Sequence, residues 1–524
     1  MDFGFACPNK KRTNILLAVF LFIAAAAVWY SYYDSVFNGL LYNDAMDYAS
    51  IGRNVARGEG FVSAYITPLG LQYYGIPHPN PWRAPLWPLI LALSMQILGS
   101  NDNAVAVTTG LFFVLTVPLI YLIGQNLFNR AVGFCAALIF MFSGLALHFG
   151  VSGLTEPLAA FLMCLWIYLL TGEKLEGPRG DLIIGLIGGV FYLARYNALV
   201  FLPFVLFYLM LKRRKKIFII LRFVAGFLIP TAPWFIRNFL LFGSPLFSLQ
   251  KFEPVMFTAA YPEYSLYMML KKPDVLDFIA SHPGQVMAKV KTGWFSFAGD
   301  FFNPSFSGIH WGLMVLCLLA LVWPLGKKTA PLKLVLAGSF CAQLAALLVI
   351  HYIPRLFFLF VPFYILLGLA FVWRLLEKLP SLKLRKPLQV LVLSVLTTVF
   401  ILGNLPDWNS KHTPEPVFKK FSAQITFLAN HSTRSDLIIS NDGHMLSWYG
   451  DRNASKIPYS PEMLAQLNRY QKARYLFLSS RSSWNIPEAD KEWQEIYWAR
   501  PQEFNGYVIR KVFADGSLIY EKKP

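Results

Sequence analysis

The chain has 524 residues, of which 56% are hydrophobic and only 15% are charged, and its mean hydropathy is +0.47. This composition excludes a water-soluble globular protein, because so apolar a chain belongs largely in lipid. The formal charge of +18 does not indicate a nucleic-acid partner, because Lys and Arg fall mostly in short segments between apolar runs, which is typical of membrane topology.

Apolar runs predict about 11 membrane-spanning helices. The first, at residues 14–32, follows a basic start and ends in an aromatic collar that includes Trp29 and Tyr30, which favours an uncleaved anchor over a signal peptide. The stretch at residues 86–99 is shorter than the roughly 20 residues that a span needs and is predicted to be re-entrant or interfacial. The remaining candidate spans are residues 104–124, 131–149, 154–171, 181–195, 197–211, 217–239, 309–326, 333–352, 355–373 and 388–404.

Basic residues between these runs predict the orientation. With a cytoplasmic amino terminus, the positive-inside rule is satisfied, because the cytoplasmic loops then contain Arg130, Lys174 with Arg179, Lys212–Lys216, Lys327 with Lys328, and Arg374–Lys386. Three larger pieces are predicted outside. We call them the first loop (residues 33–103), the middle loop (residues 240–308) and the tail (residues 405–524).

The tail is predicted to be a small extracytoplasmic α/β domain. Residues Pro416–Asn430 are typical of an amphipathic helix, and four segments are typical of strands: Asp436–Ser440, Arg474–Ser479, Tyr507–Phe513 and Ser517–Tyr520. A polar and aromatic cluster around His444 could line a sugar site or lie on the domain surface. The predicted architecture is therefore a mainly α polytopic membrane domain, residues 1–404, followed by an α/β domain, residues 405–524.

Charged residues at the predicted membrane edges are candidates for function, because a charge near lipid is costly. They are all predicted at the outer face: Glu156, Arg195, Arg237, His351 and Arg355. Positive-inside bias disfavours arginine on this face, so several arginines there indicate an anionic ligand such as a lipid phosphate. The alternatives are helix-dipole complementarity for Glu156, snorkelling for Arg237 and Arg355, and a satisfied helix end for His351.

Two acids open the first loop. Asp44 and Asp47 are spaced i, i+3, which places both on one face of a helical turn, where they could act as a general base or hold a metal. Asp44 could instead cap the helix that runs to Ala56, and Asp47 could be a structural partner of Arg53. The sequence indicates no cofactor with certainty; if a divalent cation is used, Asp44, Asp47 and Glu156 are the candidate ligands.

Several short motifs follow one another along the chain: Asp44-Ala-Met-Asp47-Tyr48, Arg83-Ala-Pro85-Leu86, Gly153-Leu-Thr-Glu156-Pro157, Ala194-Arg195-Tyr196-Asn197, Pro233-Trp234-Phe-Ile-Arg237-Asn238 and Pro354-Arg355. Together they resemble the GT-C glycosyltransferases, in particular the glycosyltransferase 39 group, which contains the protein O-mannosyltransferases and the lipid A aminoarabinose transferases. The family often has two adjacent acids at the start of the first loop, whereas here Ala45 follows Asp44. Asp47 is a possible substitute for the missing acid.

The resemblance implies transfer of a hexose or pentose, with inversion, from a polyprenyl-phosphate donor to an acceptor protein, lipid or glycan. The reaction would take place on the outer face of a prokaryotic plasma or inner membrane. Asp44 would be the catalytic base, Glu156 would orient a ligand or help to hold a cation, and the expected substrate-binding residues also include Asp47, Arg83, Arg195, Arg237, His351 and Arg355. The alternative function is a transporter or flippase for an anionic lipid or lipid-linked sugar, although midplane charges and related halves are not evident.

Overall fold

The computed structural model describes residues 10–172, 177–212, 216–303, 310–326, 329–378, 385–408, 416–480 and 487–523. Within these ranges the chain is mainly helical. Parts of the predicted basic loops, at positions 174, 213–215, 327–328 and 379–384, lie outside the described residues.

Every apolar run noted in the sequence contains helix in the structure. The helices are Lys10–Val36, Asn43–Ala56, Pro68–Leu71, Leu86–Leu98, Asp102–Leu127, Arg130–Met141, Gly144–Gly150, Glu156–Thr171, Pro178–Ala194, Leu202–Lys212, Lys216–Phe242, Val275–Ser281, Pro283–Asp300, Trp311–Val322, Ala330–Ile350, Val361–Glu377, Arg385–Leu402, Val417–Lys420, Ser422–His431, Gly443–Trp448, Met463–Tyr470 and Pro487–Ala499. Short 3-10 turns are Tyr196–Phe201, Leu249–Val255, Ser265–Met268 and Pro354–Phe360.

The described helices do not confirm the expected count of eleven spans. Among the described residues, six helices are long and apolar enough to cross a membrane, or seven if Arg130–Met141 and Gly144–Gly150, which are bent by 62° at Ser143, count as one. Other apolar segments are shorter: Trp311–Val322 has 12 residues and Glu156–Thr171 has 16. At 1.5 Å per residue these helices are roughly 18 to 24 Å long, less than the hydrocarbon core. A count of eleven is therefore not confirmed.

Two apolar helices approach each other through glycines. A Cβ atom at Gly226 would lie 2.1 Å from the carbonyl oxygen of Leu182, and one at Gly185 would lie 2.0 Å from that of Phe223. Small residues allow such close approach of helices in membranes. This packing fixes helix Pro178–Ala194, at whose carboxyl end Arg195 lies.

The tail forms most of a seven-stranded sheet. The strand order is Tyr65–Ile66, Asn453–Lys456, Leu437–Ser440, Ala473–Leu478, Leu518–Lys522, Tyr507–Val512 and Glu503–Phe504. The first four strands are parallel and the remaining pairs are antiparallel. All four predicted strands are present, whereas Asn453–Lys456 was not predicted. The predicted helix Pro416–Asn430 is split at Phe421.

The edge strand Tyr65–Ile66 belongs to the first loop, so the tail shares its sheet with that loop. Tyr65 pairs with Ala454 in parallel register, and the Ala454 amide donates to the Ala64 carbonyl at 2.7 Å. A second link is made by Asp102, whose carboxylate accepts hydrogen bonds from the Trp448 indole and the Tyr449 hydroxyl. The tail therefore lies directly against the loop that carries Asp44.

Arg53 is the buried centre of this contact. Its guanidinium donates to the backbone carbonyls of Ser447 and Trp448 and pairs with Asp451 at 3.0 Å. The alternative in which Asp47 pairs with Arg53 is therefore wrong. The tail supplies the partners of Arg53 instead.

Replacing Arg53 with methionine is expected to loosen the tail from the first loop by about 2–4 kcal/mol, because buried carbonyls lose their donors. Amide hydrogen exchange at Ala454, on the shared sheet edge, is then expected to become at least roughly tenfold faster. Arg57→Met is the matched control, since Arg57 also pairs with Asp451 but is 37% exposed, and exposed pairs contribute about 0–1 kcal/mol. Equal exchange rates in both variants would contradict this assignment.

Candidate active site

A cavity of about 540 Å³ lies where the first loop, the middle loop, the tail and several helix ends meet. Its wall combines aromatic and apolar side chains with a large set of polar and charged ones, and ligand pockets are typically built from such a combination. The charged side chains and histidines in its lining are Asp44, Arg83, Arg195, Glu253, His351, Arg355, His444 and Lys456.

Asp44 lies in the first turn of helix Asn43–Ala56. Arg83 donates to Asp44 Oδ1 at 2.8 Å, and Arg355 donates to Oδ2. The helix begins at Asn43, and no side chain caps it. The capping alternative for Asp44 is therefore wrong, because this carboxylate accepts from two arginines instead.

The two arginines also set the ionisation of Asp44. Burial alone would raise the pKa of this carboxyl, but the charges and hydrogen bonds of Arg83 and Arg355 hold it well below its usual range. The Asp44 and Arg355 side chains are 27% and 28% exposed, whereas Arg83 is 7% exposed. The cavity thus presents an ionised carboxylate beside a partly accessible guanidinium.

Asp47 lies behind the cavity wall rather than in it. Its side chain is 1% exposed, and Arg83 Nε donates to its Oδ2 at 2.6 Å. Burial raises the pKa of Asp47, although Arg83 opposes the shift. Asp47 therefore holds Arg83 against Asp44, which makes it a positioning residue in this arrangement.

Glu156 has a similar place on the other side. It is 1% exposed, lies in the first turn of helix Glu156–Thr171, and has its Oε1 3.4 Å from Arg195 and 3.6 Å from Arg355. Arg355 therefore bridges Asp44 and Glu156. Acids and arginines alternate along one row, which we call the ion row: Asp47, Arg83, Asp44, Arg355, Glu156 and Arg195.

Arg237 and His351 differ in placement. Arg237 does not line the cavity, because its guanidinium lies over the Trp234 ring at 4.4 Å and donates to the Asn80 carbonyl at 3.2 Å. His351 does line the cavity, where it stacks on Phe257 at 4.8 Å between ring centroids. Arg237 was predicted to bind the ligand, but its position outside the cavity lining does not support that prediction.

The candidate metal ligands do not match a cation site. Asp44, Asp47 and Glu156 each have a carboxylate oxygen paired with an arginine. In the ranges that the structure describes, no group of three or more His, Cys, Asp or Glu side chains is arranged to hold a metal ion. With guanidinium groups between the acids, this donor set does not fit a divalent cation.

Comparisons with known proteins show which family model and which solved structures this chain is similar to. Residues 78–236, which include Arg83, Glu156 and Arg195, match the family model described as dolichyl-phosphate-mannose-protein mannosyltransferase. No curated protein sequence matches the chain. The apo oligosaccharyltransferase of Archaeoglobus fulgidus superposes with a TM-score of 0.60 at 12% identity, covering 98% of this chain and 75% of that one.

Two further solved structures agree. The archaeal oligosaccharyltransferase AglB from Archaeoglobus fulgidus, in complex with an inhibitory peptide and a dolichol-phosphate, gives a TM-score of 0.57 at 13% identity, covering 97% of this chain and 74% of that one. A mutant of the mycobacterial arabinofuranosyltransferase AftD gives 0.51 at 15% identity, covering 96% of this chain and 42% of that one. Both neighbours are GT-C glycosyltransferases. The chain has the GT-C glycosyltransferase fold.

Within this GT-C fold, the sequence patterns did not identify several residues of the cavity wall. Glu253 and Tyr267 come from irregular parts of the middle loop, and Lys456 comes from the strand that was not predicted. His444 was noted only as part of a cluster of uncertain role; it stacks on Tyr65 at 3.5 Å between ring centroids. A signal for Glu253 existed, because it is a lone acid between Phe252 and Pro254.

Proposed function

We propose that this protein transfers a sugar from a polyprenyl-phosphate donor to a hydroxyl or similar group of an acceptor, with inversion, on the extracytoplasmic face of a cell membrane. The ion row is the observation that carries this proposal. It places one ionised carboxylate, Asp44, beside guanidiniums that suit a phosphate. The acceptor belongs to one of three classes, namely a protein, a lipid or a glycan.

The reaction requires one bond to break and one to form. The acceptor oxygen attacks the anomeric carbon and gives its proton to Asp44, while the bond from that carbon to the phosphate oxygen breaks. The bonding electron pair leaves with the polyprenyl phosphate. Arg355, with Arg195 and Arg83 behind it, stabilises the negative charge that develops there.

The ion pairs of Asp44 support an order for these events. Asp44 is a weak base while Arg83 and Arg355 bind it, because both lower its pKa. A donor phosphate would compete with Asp44 for the accessible guanidinium of Arg355. Donor binding would therefore release one oxygen of Asp44 and raise its basicity when the acceptor is needed.

Three kinds of observation support the membrane-lipid donor. The structure has apolar helices long enough to cross a membrane, including the segment that contains Arg355, and a polyprenyl chain would pack against such helices. The matching family model is named for a dolichyl-phosphate mannose donor, and one structural neighbour was solved with a dolichol-phosphate.

The proposed orientation agrees with the positive-inside rule at Arg130, which lies between the second and third predicted spans, in a loop that would be cytoplasmic.

A panel of polyprenyl-phosphate sugars in proteoliposomes tests the proposal. We expect one donor to lose its sugar to an added membrane extract that contains acceptors, with release of free polyprenyl phosphate. Movement of an intact lipid-linked sugar between leaflets, without cleavage of any donor, would contradict transfer and favour the flippase. A lipid-scrambling assay with the same vesicles separates these results.

A further inference from the structure

Glu253 is a buried carboxyl group in the cavity wall that the transfer reaction described above does not use. It lies in the 3-10 turn Leu249–Val255 of the middle loop, and its residue is 7% exposed. The Tyr267 hydroxyl donates a hydrogen bond to Glu253 Oε1. Both residues line the same cavity as Asp44.

Aromatic side chains hold this pair in place. The Tyr267 ring lies against Trp82 with 4.4 Å between centroids, and the Arg83 guanidinium lies over the Trp82 ring at 4.3 Å. Trp82 and Arg83 are adjacent in the chain, so the pair is packed onto the segment that positions Asp44. The pair therefore has a fixed position relative to the ion row.

The buried cation beside Glu253 does not neutralise its carboxyl. Lys289 Nζ donates to the backbone carbonyls of Glu253 and Pro254, at 3.3 and 2.9 Å. The charged and titratable groups that face Glu253 are Tyr267 and Tyr264 on the neighbouring turn, Lys289 on helix Pro283–Asp300, and Arg83 on the first loop. Burial outweighs them and raises the pKa of Glu253 to about 7.

A neutral carboxyl and a phenol in an aromatic wall suit one chemical class of ligand. A protonated carboxyl donates one hydrogen bond and accepts others, and Tyr267 adds a second polar group. Vicinal hydroxyls need donors and acceptors of this kind, whereas a phosphate needs the cations of the ion row. The ring of Tyr264, which lines the cavity and is 41% exposed, can cover the apolar side of a sugar ring.

We propose that Glu253 and Tyr267 form a subsite of the cavity for a hydroxylated ring, either the sugar of the donor or the hydroxyl-bearing group of the acceptor. This inference rests on the proposed transfer function and identifies the part of the site that recognises the sugar or the acceptor. The ion row then binds phosphate and performs the chemistry, while the Glu253 subsite sets which ring is accepted. Glu253 is accordingly a specificity-determining residue.

Ionisation of Glu253 removes its donated hydrogen bond and adds a negative charge near the donor phosphate. The protonated fraction falls as pH rises through about 7, so kcat/KM of the wild type is expected to fall on the alkaline side of that value. Glu253→Gln keeps a donor and an acceptor but cannot titrate. We expect it to abolish this alkaline fall, so that its kcat/KM is the same on both sides of pH 7.

The experiment compares wild type, Glu253→Gln, Glu253→Ala and the exposed control Glu263→Gln in proteoliposomes with the active donor. Transfer is measured on both sides of pH 7. The KM is measured for donor and acceptor separately, and binding of the polyprenyl-phosphate sugar is compared with that of polyprenyl phosphate alone by tryptophan fluorescence. A loss of the preference for the sugar-bearing lipid in Glu253→Ala assigns the subsite to the donor, and a raised acceptor KM assigns it to the acceptor.

The inference is overturned if Glu253→Ala changes neither the preference for the sugar-bearing lipid nor the acceptor KM. It is also overturned if kcat/KM of Glu253→Gln falls above pH 7 as that of the wild type does. The Glu263→Gln control is expected to resemble the wild type throughout, because Glu263 is exposed and outside the cavity lining. A wild type that cleaves no donor would instead contradict the proposed function. The two failures are thus distinguishable.

Discussion

Replacing Arg355 with methionine is expected to lower the rate of sugar transfer by roughly 10²- to 10³-fold, the usual cost of removing one preorganised charge from a developing oxyanion. Arg355 is 28% exposed and bridges Asp44 and Glu156, so the side chain is both accessible and held in position. Arg355→Lys is expected to give an intermediate rate, because lysine keeps the charge but loses the two-directional guanidinium geometry.

Arg374→Met provides the matched control for Arg355. Arg374 lies near the other end of the helical segment that Arg355 begins, where it pairs with Glu377 at 2.6 Å and is 39% exposed. An exposed pair of this kind contributes little, so transfer is expected to stay within roughly twofold of the wild type. If Arg355→Met and Arg374→Met had equal rates, the phosphate role of Arg355 would be excluded.

Replacing Asp44 with asparagine is expected to lower kcat by roughly 10²- to 10⁴-fold, the contribution that a positioned general base makes. The same change is expected to leave the donor KM unchanged or lower it, because asparagine competes less strongly than a carboxylate for Arg355. A structural role for Asp44 would instead weaken donor binding and transfer together. Separate measurement of kcat and the donor KM distinguishes the two roles.

Asp274→Asn is the control for this substitution. Asp274 is an exposed acid of the middle loop whose side chain caps helix Val275–Ser281, and asparagine is an equally good cap. Transfer by Asp274→Asn is expected to remain within roughly twofold of the wild type. A similar loss in both variants would indicate that acidic charge in the loops, rather than the Asp44 base, is what matters.

The membrane class and the membrane-edge charges Glu156, Arg195 and Arg355 could be predicted from the sequence because these features are local. Arg83 became a candidate only through a motif of the family resemblance. Apolar length indicates lipid, and a charge at a predicted membrane edge is unusual wherever the chain later folds. Asp44 and Arg355 are 311 positions apart, yet both were expected at the same face. The predicted topology puts both at one side of the membrane, and in the structure the two side chains are in contact.

Which acid pairs with which arginine in the ion row could not be predicted from the sequence, because the pairing depends on side-chain directions and on the paths of the loops. Asp47 has Arg83 as its partner rather than Arg53. Arg237 was expected beside a ligand phosphate, but it binds the Asn80 carbonyl. Motif spacing carries no information about which of several nearby cations a carboxylate will accept.

The span count and the middle loop show a second limit. Hydropathy treats residues 197–211 as a span, whereas this segment begins with the 3-10 turn Tyr196–Phe201 beside the cavity and is shorter than the six helices that are long enough to cross a membrane. Segment Pro354–Glu377 also begins with a 3-10 turn, but it is long enough to be a span, as predicted for residues 355–373. Glu253 and Tyr267 lie on 3-10 turns with no helical or strand period. Such irregular backbone is placed by tertiary contacts, and those contacts are not visible in a single sequence.

Transfer from a donor that carries one label in the sugar and another in the polyprenyl chain tests the central claim most directly. In proteoliposomes with the wild type, we predict that the sugar label moves to the acceptor while the lipid label is recovered as polyprenyl phosphate, and that Asp44→Asn at matched amounts does neither. If both labels remain on one intact lipid in the wild type, or if Asp44→Asn separates them at the wild-type rate, the protein is not a glycosyltransferase with Asp44 as its base.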